Sequence, residues 1–97
     1  MGWATFAIER LKQGETVTIK PRGHSMVGRV EDGQEVTVSP VETSTLVVGD
    51  VVLCKVHGRE YLHLVKAIDD ERFQIGNNKG HINGWIGKNG IYGKADV

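Results

Sequence analysis

Only one cysteine, Cys54, occurs in the 97 residues, so neither an intramolecular disulfide nor a cysteine-based metal cluster can form. It stands in the apolar run Val51-Val52-Leu53-Cys54, which marks it as a small buried hydrophobe rather than a reactive thiol. A lone thiol fits a reducing cytoplasm. There is no excess of either charge: twelve basic residues balance twelve acidic ones. Nucleic acid and anionic membrane are therefore not expected as main partners. The one basic cluster, Lys20, Arg22 and Arg29, reads as ordinary solvated surface. Six aromatic residues are few for the stacking platforms that hold single-stranded nucleic acid. No apolar run approaches the ~20 residues that cross a bilayer. The N-terminus lacks the basic-then-apolar order of a signal peptide. The expectation is a soluble, cytoplasmic protein without a membrane anchor. The four histidines are scattered, with only loop carboxylates near them, so neither a metal nor another cofactor is expected.

What is present suits one domain spanning 1–97. A chain of this size buries roughly 60–65% of its unfolded surface, enough for a single core with a site on its surface. Residues 3–13 carry Trp3, Phe6, Ala7 and Leu11 at helical spacing, with Gly14 just past the end, and predict one helix whose apolar stripe faces the core. A second reading places Trp3 on a partner surface. From residue 15 the period changes to two. Segments 16–20 and 35–39 alternate and are rich in β-branched residues. Segments 51–56 and 61–68 are near-continuous apolar strands. Shorter strands are expected at 72–75, 85–86 and 91–92. Turn signals separate all of these: Pro21, Glu31-Asp32-Gly33, Gly49-Asp50, His57-Gly58, Asp69-Asp70, Gly76-Asn77-Asn78 and the glycines at 80, 84, 87, 90 and 93. Residues 40–48 are the least patterned stretch and read as a loop. The fold class is thus mostly β: a coiled antiparallel sheet or small, partly open barrel with one N-terminal helix.

The segment that carries chemistry is Gly23-His24-Ser25-Met26. A serine hydroxyl is a weak nucleophile at neutral pH and needs a neighbouring base. Two bases are available on the apolar run 61–68. His63 has an ordinary pKa near ~6.5, suited to the task as it stands. Lys66 would need burial to bring its pKa down from about 10.4. On a regular strand the two point to opposite faces, so only one can serve. His24 adjoins Ser25, but neighbours on an extended chain point apart. His57 reads as a surface turn residue and His81 as a loop residue. Gly76-Asn77-Asn78-Lys79-Gly80 lacks the ending of a phosphate-binding loop and reads as a turn.

The order of Gly23-His24-Ser25-Met26, then Asp32-Gly33 with segment 34–38, then Gly49-Asp50-Val51-Val52, then His63-Leu64-Val65, then Gly76-Asn77-Asn78, resembles the type I signal-peptidase and LexA-like serine peptidase superfamily. The resemblance covers roughly residues 20–93, and rests on the order and spacing of the boxes rather than on any one. It implies Ser25 as nucleophile. It implies His63 or Lys66 in the place of the base, with spacing from Ser25 and Gly76 favouring His63. It also implies that the backbone N–H groups of Ser25 and His24 hold the oxyanion. Three positions depart from the family pattern: Gly28 stands where proline is usual, Leu64 where arginine is usual, and Asn77 where aspartate is usual.

By resemblance, the expected function is acyl transfer on a peptide bond by a Ser-His (or Ser-Lys) dyad, as in a hydrolase of the serine endopeptidase kind. The substrate would be a peptide or protein bound as an extended strand. The alternative is a catalytically inactive relative that holds a peptide or protein partner. A nucleic-acid-binding barrel is a third, weaker reading.

Overall fold

The computed structural model describes residues 2–97. It contains one helix, α1 (Thr5–Lys12), and seven strands: β1 (Val17–Ile19), β2 (Val36–Ser39), β3 (Val51–Val56), β4 (Arg59–Asp69), β5 (Arg72–Gly76), β6 (Ile82–Gly87) and β7 (Ile91–Asp96). The strands form one antiparallel sheet in the order β1-β2-β7-β3-β4-β5-β6. β1 and β6 are its unpaired edges, so the sheet is open. It nevertheless coils, for β6 packs back against β3, three strands away in the order.

β3 lies near the middle of the sheet and is buried on both faces, which is why it reads as a continuous apolar run rather than an alternating one. Val51 and Leu53 join Leu62, Leu64, Val36, Val38 and the helix in one cluster. Val52, Cys54 and Val56 join Val65, Phe73, Ile75 and Leu46 in the other. The edge-side strand β2 has a single core face, and its burial alternates as the sequence does. Leu46, buried in the second cluster, anchors the loop of residues 40–48, in which Thr43–Thr45 form a short 3-10 turn.

The apolar stripe of α1 differs from the expectation. Ala7, Ile8 and Leu11 of the helix and the preceding Ala4 are buried, whereas Phe6 is 76% exposed and Trp3 is 54% exposed. Positions 4, 7, 8 and 11 are one face at helical spacing. Trp3 lies before the first turn, and Phe6 is on the solvent side, where the Arg10 guanidinium stacks 5.7 Å from its ring centre. The helix has no cap from its own N-cap residue, Ala4. Glu60 of β4 supplies one instead: Oε1 accepts from the Ala4 N–H at 2.6 Å and Oε2 from the Thr5 hydroxyl at 2.7 Å. A carboxylate there also meets the positive end of the helix dipole. Trp3 Nε1 donates to the Glu60 carbonyl at 3.1 Å, so the chain entering the helix is pinned to β4 by side chain and backbone together.

No helix among the described residues is long and apolar enough to cross a membrane.

Candidate active site

Ser25 sits on a tight turn between β1 and β2. The loop that carries it is closed on itself: Gly23 N–H donates to Asp32 Oδ1 at 2.8 Å, and Gly33 N–H donates to the Pro21 carbonyl at 2.9 Å. After Ser25, the N–H groups of Arg29 and Val30 both donate to the Met26 carbonyl, which makes a single helical turn with Met26 and Val30 buried beneath it. Gly28 in this turn has φ +97°, a left-handed value that proline cannot adopt, and its N–H donates to Glu31 Oε2 at 2.9 Å. A proline here would be sterically and chemically wrong for this loop.

The loop is also held from across the molecule. The Asn78 N–H donates to the Ser25 carbonyl at 3.0 Å, and Asn78 Nδ2 donates to the Val27 carbonyl at 2.8 Å. Asn78 stands in the turn between β5 and β6. Asn77 shapes that turn, its Oδ1 accepting from the N–H groups of Lys79 and His81 at 2.8 and 2.9 Å. Asn77 thus organises the turn with an acceptor that needs no charge. The Gly49-Asp50 box has a purely architectural position: Gly49 N–H donates to the Val65 carbonyl and Val65 N–H to the Asp50 carbonyl, each at 2.9 Å.

Ser25 Oγ lies 3.3 Å from His63 Nε2. That is the long end of a hydrogen bond, in a geometry that commonly tightens when substrate binds. His63 is buried in the middle of β4, opposite Val52, with its ring centre 4.8 Å from that of Tyr61. Its other nitrogen, Nδ1, lies 2.8 Å from Asn83 Oδ1. An amide oxygen only accepts, so this contact is a hydrogen bond in the tautomer that carries its proton on Nδ1. The lone pair on Nε2 then faces Ser25. Burial pushes the His63 pKa below its ordinary 6.5; the Asn83 hydrogen bond opposes that shift and the nearby His81 adds to it. The imidazole is therefore kept neutral, the form in which it can take a proton.

Asn83 is the residue that sequence reasoning missed. In the pairing of β5 with β6, Ile75 faces Gly84 but Gly76 faces Ile82. Asn83 is the extra residue of this bulge, a feature that re-aims side chains beside active sites. Gly84 next to it has φ +144°, and a Cβ there would come within 3.2 Å of His57 Nε2. An Asn-Gly pair reads as a turn in sequence, and that is how this one is disguised.

Lys66 is not brought to Ser25. It is the extra residue of a second bulge, between Val65 and Ala67, and its Nζ donates to the Asn77 carbonyl at 3.1 Å. It thereby braces the same turn that holds the Ser25 loop. His24 is exposed and makes no side-chain hydrogen bond among the described residues. His57 occupies the β3–β4 turn with φ 52°. The N–H groups of His24 and Ser25 donate to no group of the described protein, which leaves both free for an acceptor. Cys54 is fully buried, its Sγ 3.7 Å from the Tyr61 carbonyl, and burial raises its pKa to about 12, so the thiol is inert. Among the described residues no three His, Cys, Asp or Glu side chains gather as metal ligands would.

Ser25, His63 and Asn83 open into a groove of about 750 Å³. It is lined by residues 20–23, which follow β1, and by residues 60–63 of β4, together with Trp3 and His81. Met26, Val30 and Leu62 contribute an apolar floor. Comparison with protein-family models, with curated proteins and with solved structures finds no match to this chain.

Proposed function

We propose that the domain is a serine hydrolase that acts by acyl transfer on a peptide bond, as the resemblance to the signal-peptidase and LexA-like peptidases implies, with Ser25, His63 and Asn83 as its working residues. The observation that carries this reading is the chain of contacts from Ser25 Oγ to His63 Nε2 and from His63 Nδ1 to Asn83 Oδ1, opening into a groove.

Each residue has a distinct task. Ser25 Oγ attacks the scissile carbonyl while His63 Nε2 takes its proton. The tetrahedral oxyanion is held by the N–H groups of Ser25 and His24. His63 then returns the proton to the leaving amine, and the acyl-enzyme is released by water that His63 activates in the same way. Asn83 holds the ring in the tautomer that makes Nε2 the base. A buried neutral imidazole supports this assignment over lysine, because it is a base at neutral pH without further help.

The test is labelling by a serine-reactive fluorophosphonate, read by intact mass, on the wild type, Ser25→Ala, His63→Ala and Lys66→Ala. One adduct on Ser25 of the wild type and of Lys66→Ala, with none on the other two, is the expected result. Equal labelling of wild type and His63→Ala would remove the base from the scheme. No labelling of the folded wild type above pH 7 would favour the binding-module alternative, in which the groove holds a partner without cutting it.

A further inference from the structure

Two basic and two acidic residues line the groove, and the two signs are differently engaged. They are Lys20, Arg22, Glu31 and Glu60. The two carboxylates are both turned onto the protein itself. Glu60 spends its two oxygens on the Ala4 N–H and the Thr5 hydroxyl, against the positive end of α1. Glu31 accepts from the Gly28 N–H. The two cations have no such engagement: neither Lys20 nor Arg22 makes an ion pair, a hydrogen bond or a ring contact among the described residues. Arg29, which adjoins them in the sequence pattern, is spoken for elsewhere, donating to the Gly49 carbonyl beside a different concavity.

Lys20 and Arg22 also line the same groove. They are two residues apart on the irregular segment that follows β1, both exposed, with the half-buried Pro21 between them. An extended peptide laid along the groove presents alternate side chains to one face, so two of them meet the two cations that line it. We infer that the groove selects an extended peptide with acidic side chains at alternate positions, paired with Lys20 and Arg22. This deepens the proposed peptidase reading by naming a substrate class for its groove. Two cations on a chain of zero net charge are too few for the phosphate tracking that nucleic-acid binding rests on, so a peptide is the favoured occupant.

The experiment uses two fluorophosphonate probes with the same warhead and opposite tails, Ala-Asp-Ala-Asp and Ala-Lys-Ala-Lys. Ser25 Oγ displaces fluoride at phosphorus and its proton passes to His63, so each probe reports binding through one rate. At about 20 mM salt the acidic probe should label roughly tenfold faster, and the difference should shrink toward unity at about 500 mM, where exposed charges are screened. The double variant Lys20→Glu/Arg22→Glu should reverse the order of the two probes. The same peptides without warheads, dye-labelled and bound to Ser25→Ala, give the preference by anisotropy independently of any chemistry. Equal rates for the two tails, or an order unchanged in the double variant, would overturn the inference while Ser25 labelling leaves the hydrolase reading standing. Failure of both probes together with acid-selective binding to Ser25→Ala would overturn the hydrolase reading and keep the inference. Displacement of the acidic peptide by a single-stranded oligonucleotide that binds more tightly, with a steeper salt dependence, would assign the cations to nucleic acid and overturn it.

Discussion

Asn83 Oδ1 reaches His63 Nδ1 at 2.8 Å because Asn83 is the one residue of β6 displaced from regular pairing by a bulge. The contact fixes the ring and its tautomer without adding a charge beside it. Asn83→Ala should therefore slow Ser25 acylation by roughly tenfold to a hundredfold, part of the ~10²–10⁴ that a positioned base contributes. Asn83→Asp should behave differently. A carboxylate at the same place stabilises imidazolium, so the acid limb of the rate profile should move to higher pH, with the rate retained above it. A residue that only supported the fold would lower the rate of both variants without moving the limb. Pseudo-first-order labelling across pH 5–9 separates the two outcomes.

The pH dependence of the wild type follows from burial of His63. Its pKa in the folded protein lies below the ordinary 6.5, so the labelling rate should climb with pH and reach its plateau by neutrality, with the midpoint under 6.5. The same shift acts on stability. The unfolded chain's imidazole protonates at its ordinary value while the folded one resists, so the unfolded state binds more protons in that window and stability rises with pH. Denaturation midpoints should therefore fall as pH is lowered from about 6.5 through the depressed folded value. In His63→Gln that part of the slope should disappear.

How far the sequence foretells this site depends on whether the backbone is regular. The alternation of residues 35–39 and the continuous apolar run at 51–56 translate directly into β2, with one core face, and β3, with two. Period is a property of regular strands, and there it is legible. Asn83 and Lys66 are the places where it fails, since each is an extra residue in a bulge and its direction cannot be inferred by counting in twos. The helix shows a different limit. Trp3 and Phe6 are the largest apolar side chains near it, and size drew the stripe to them, but the face made by Ala4, Ala7, Ile8 and Leu11 fits the sheet more closely. The contact of Ser25 with His63 joins residues 38 apart, and nothing local to either one encodes it.

The turn that follows β5 holds the serine loop through Asn78. Asn78→Ala removes the 2.8 Å hydrogen bond to the Val27 carbonyl and leaves the backbone bond to Ser25 in place. The expected cost is about 1 kcal/mol of stability. A looser loop should slow acylation several-fold with the midpoint of the pH profile unchanged, because His63 and its partners are untouched. A shifted midpoint would instead mean that the turn acts on the base. Gly28→Pro should be far more harmful than Gly28→Ala. Both strain a φ of +97°, but proline also deletes the N–H that Glu31 accepts. Urea denaturation of the three variants ranks these effects.

Glu60 offers the sharpest test of how the helix is attached. Glu60 is buried, and its carboxylate accepts from the N–H of the N-cap residue Ala4 and from the hydroxyl of Thr5. Glu60→Ala leaves the buried Ala4 N–H and the part-buried Thr5 hydroxyl without this partner, and hydrogen bonds to a charged group contribute about 1.5–3 kcal/mol each. A loss of roughly 2–4 kcal/mol is expected once partial rehydration of the helix start is allowed for. Glu60→Gln keeps an acceptor for one donor and should cost less. Because Trp3 donates to the backbone of residue 60 rather than to its side chain, its anchoring should survive in Glu60→Gln. Trp3 lines the groove, so tryptophan emission on adding a peptide should still respond in Glu60→Gln. In Glu60→Ala the response should weaken as the helix start frays. An unchanged denaturation midpoint in Glu60→Ala would show that the apolar face of α1, and not this carboxylate, holds the helix to the sheet.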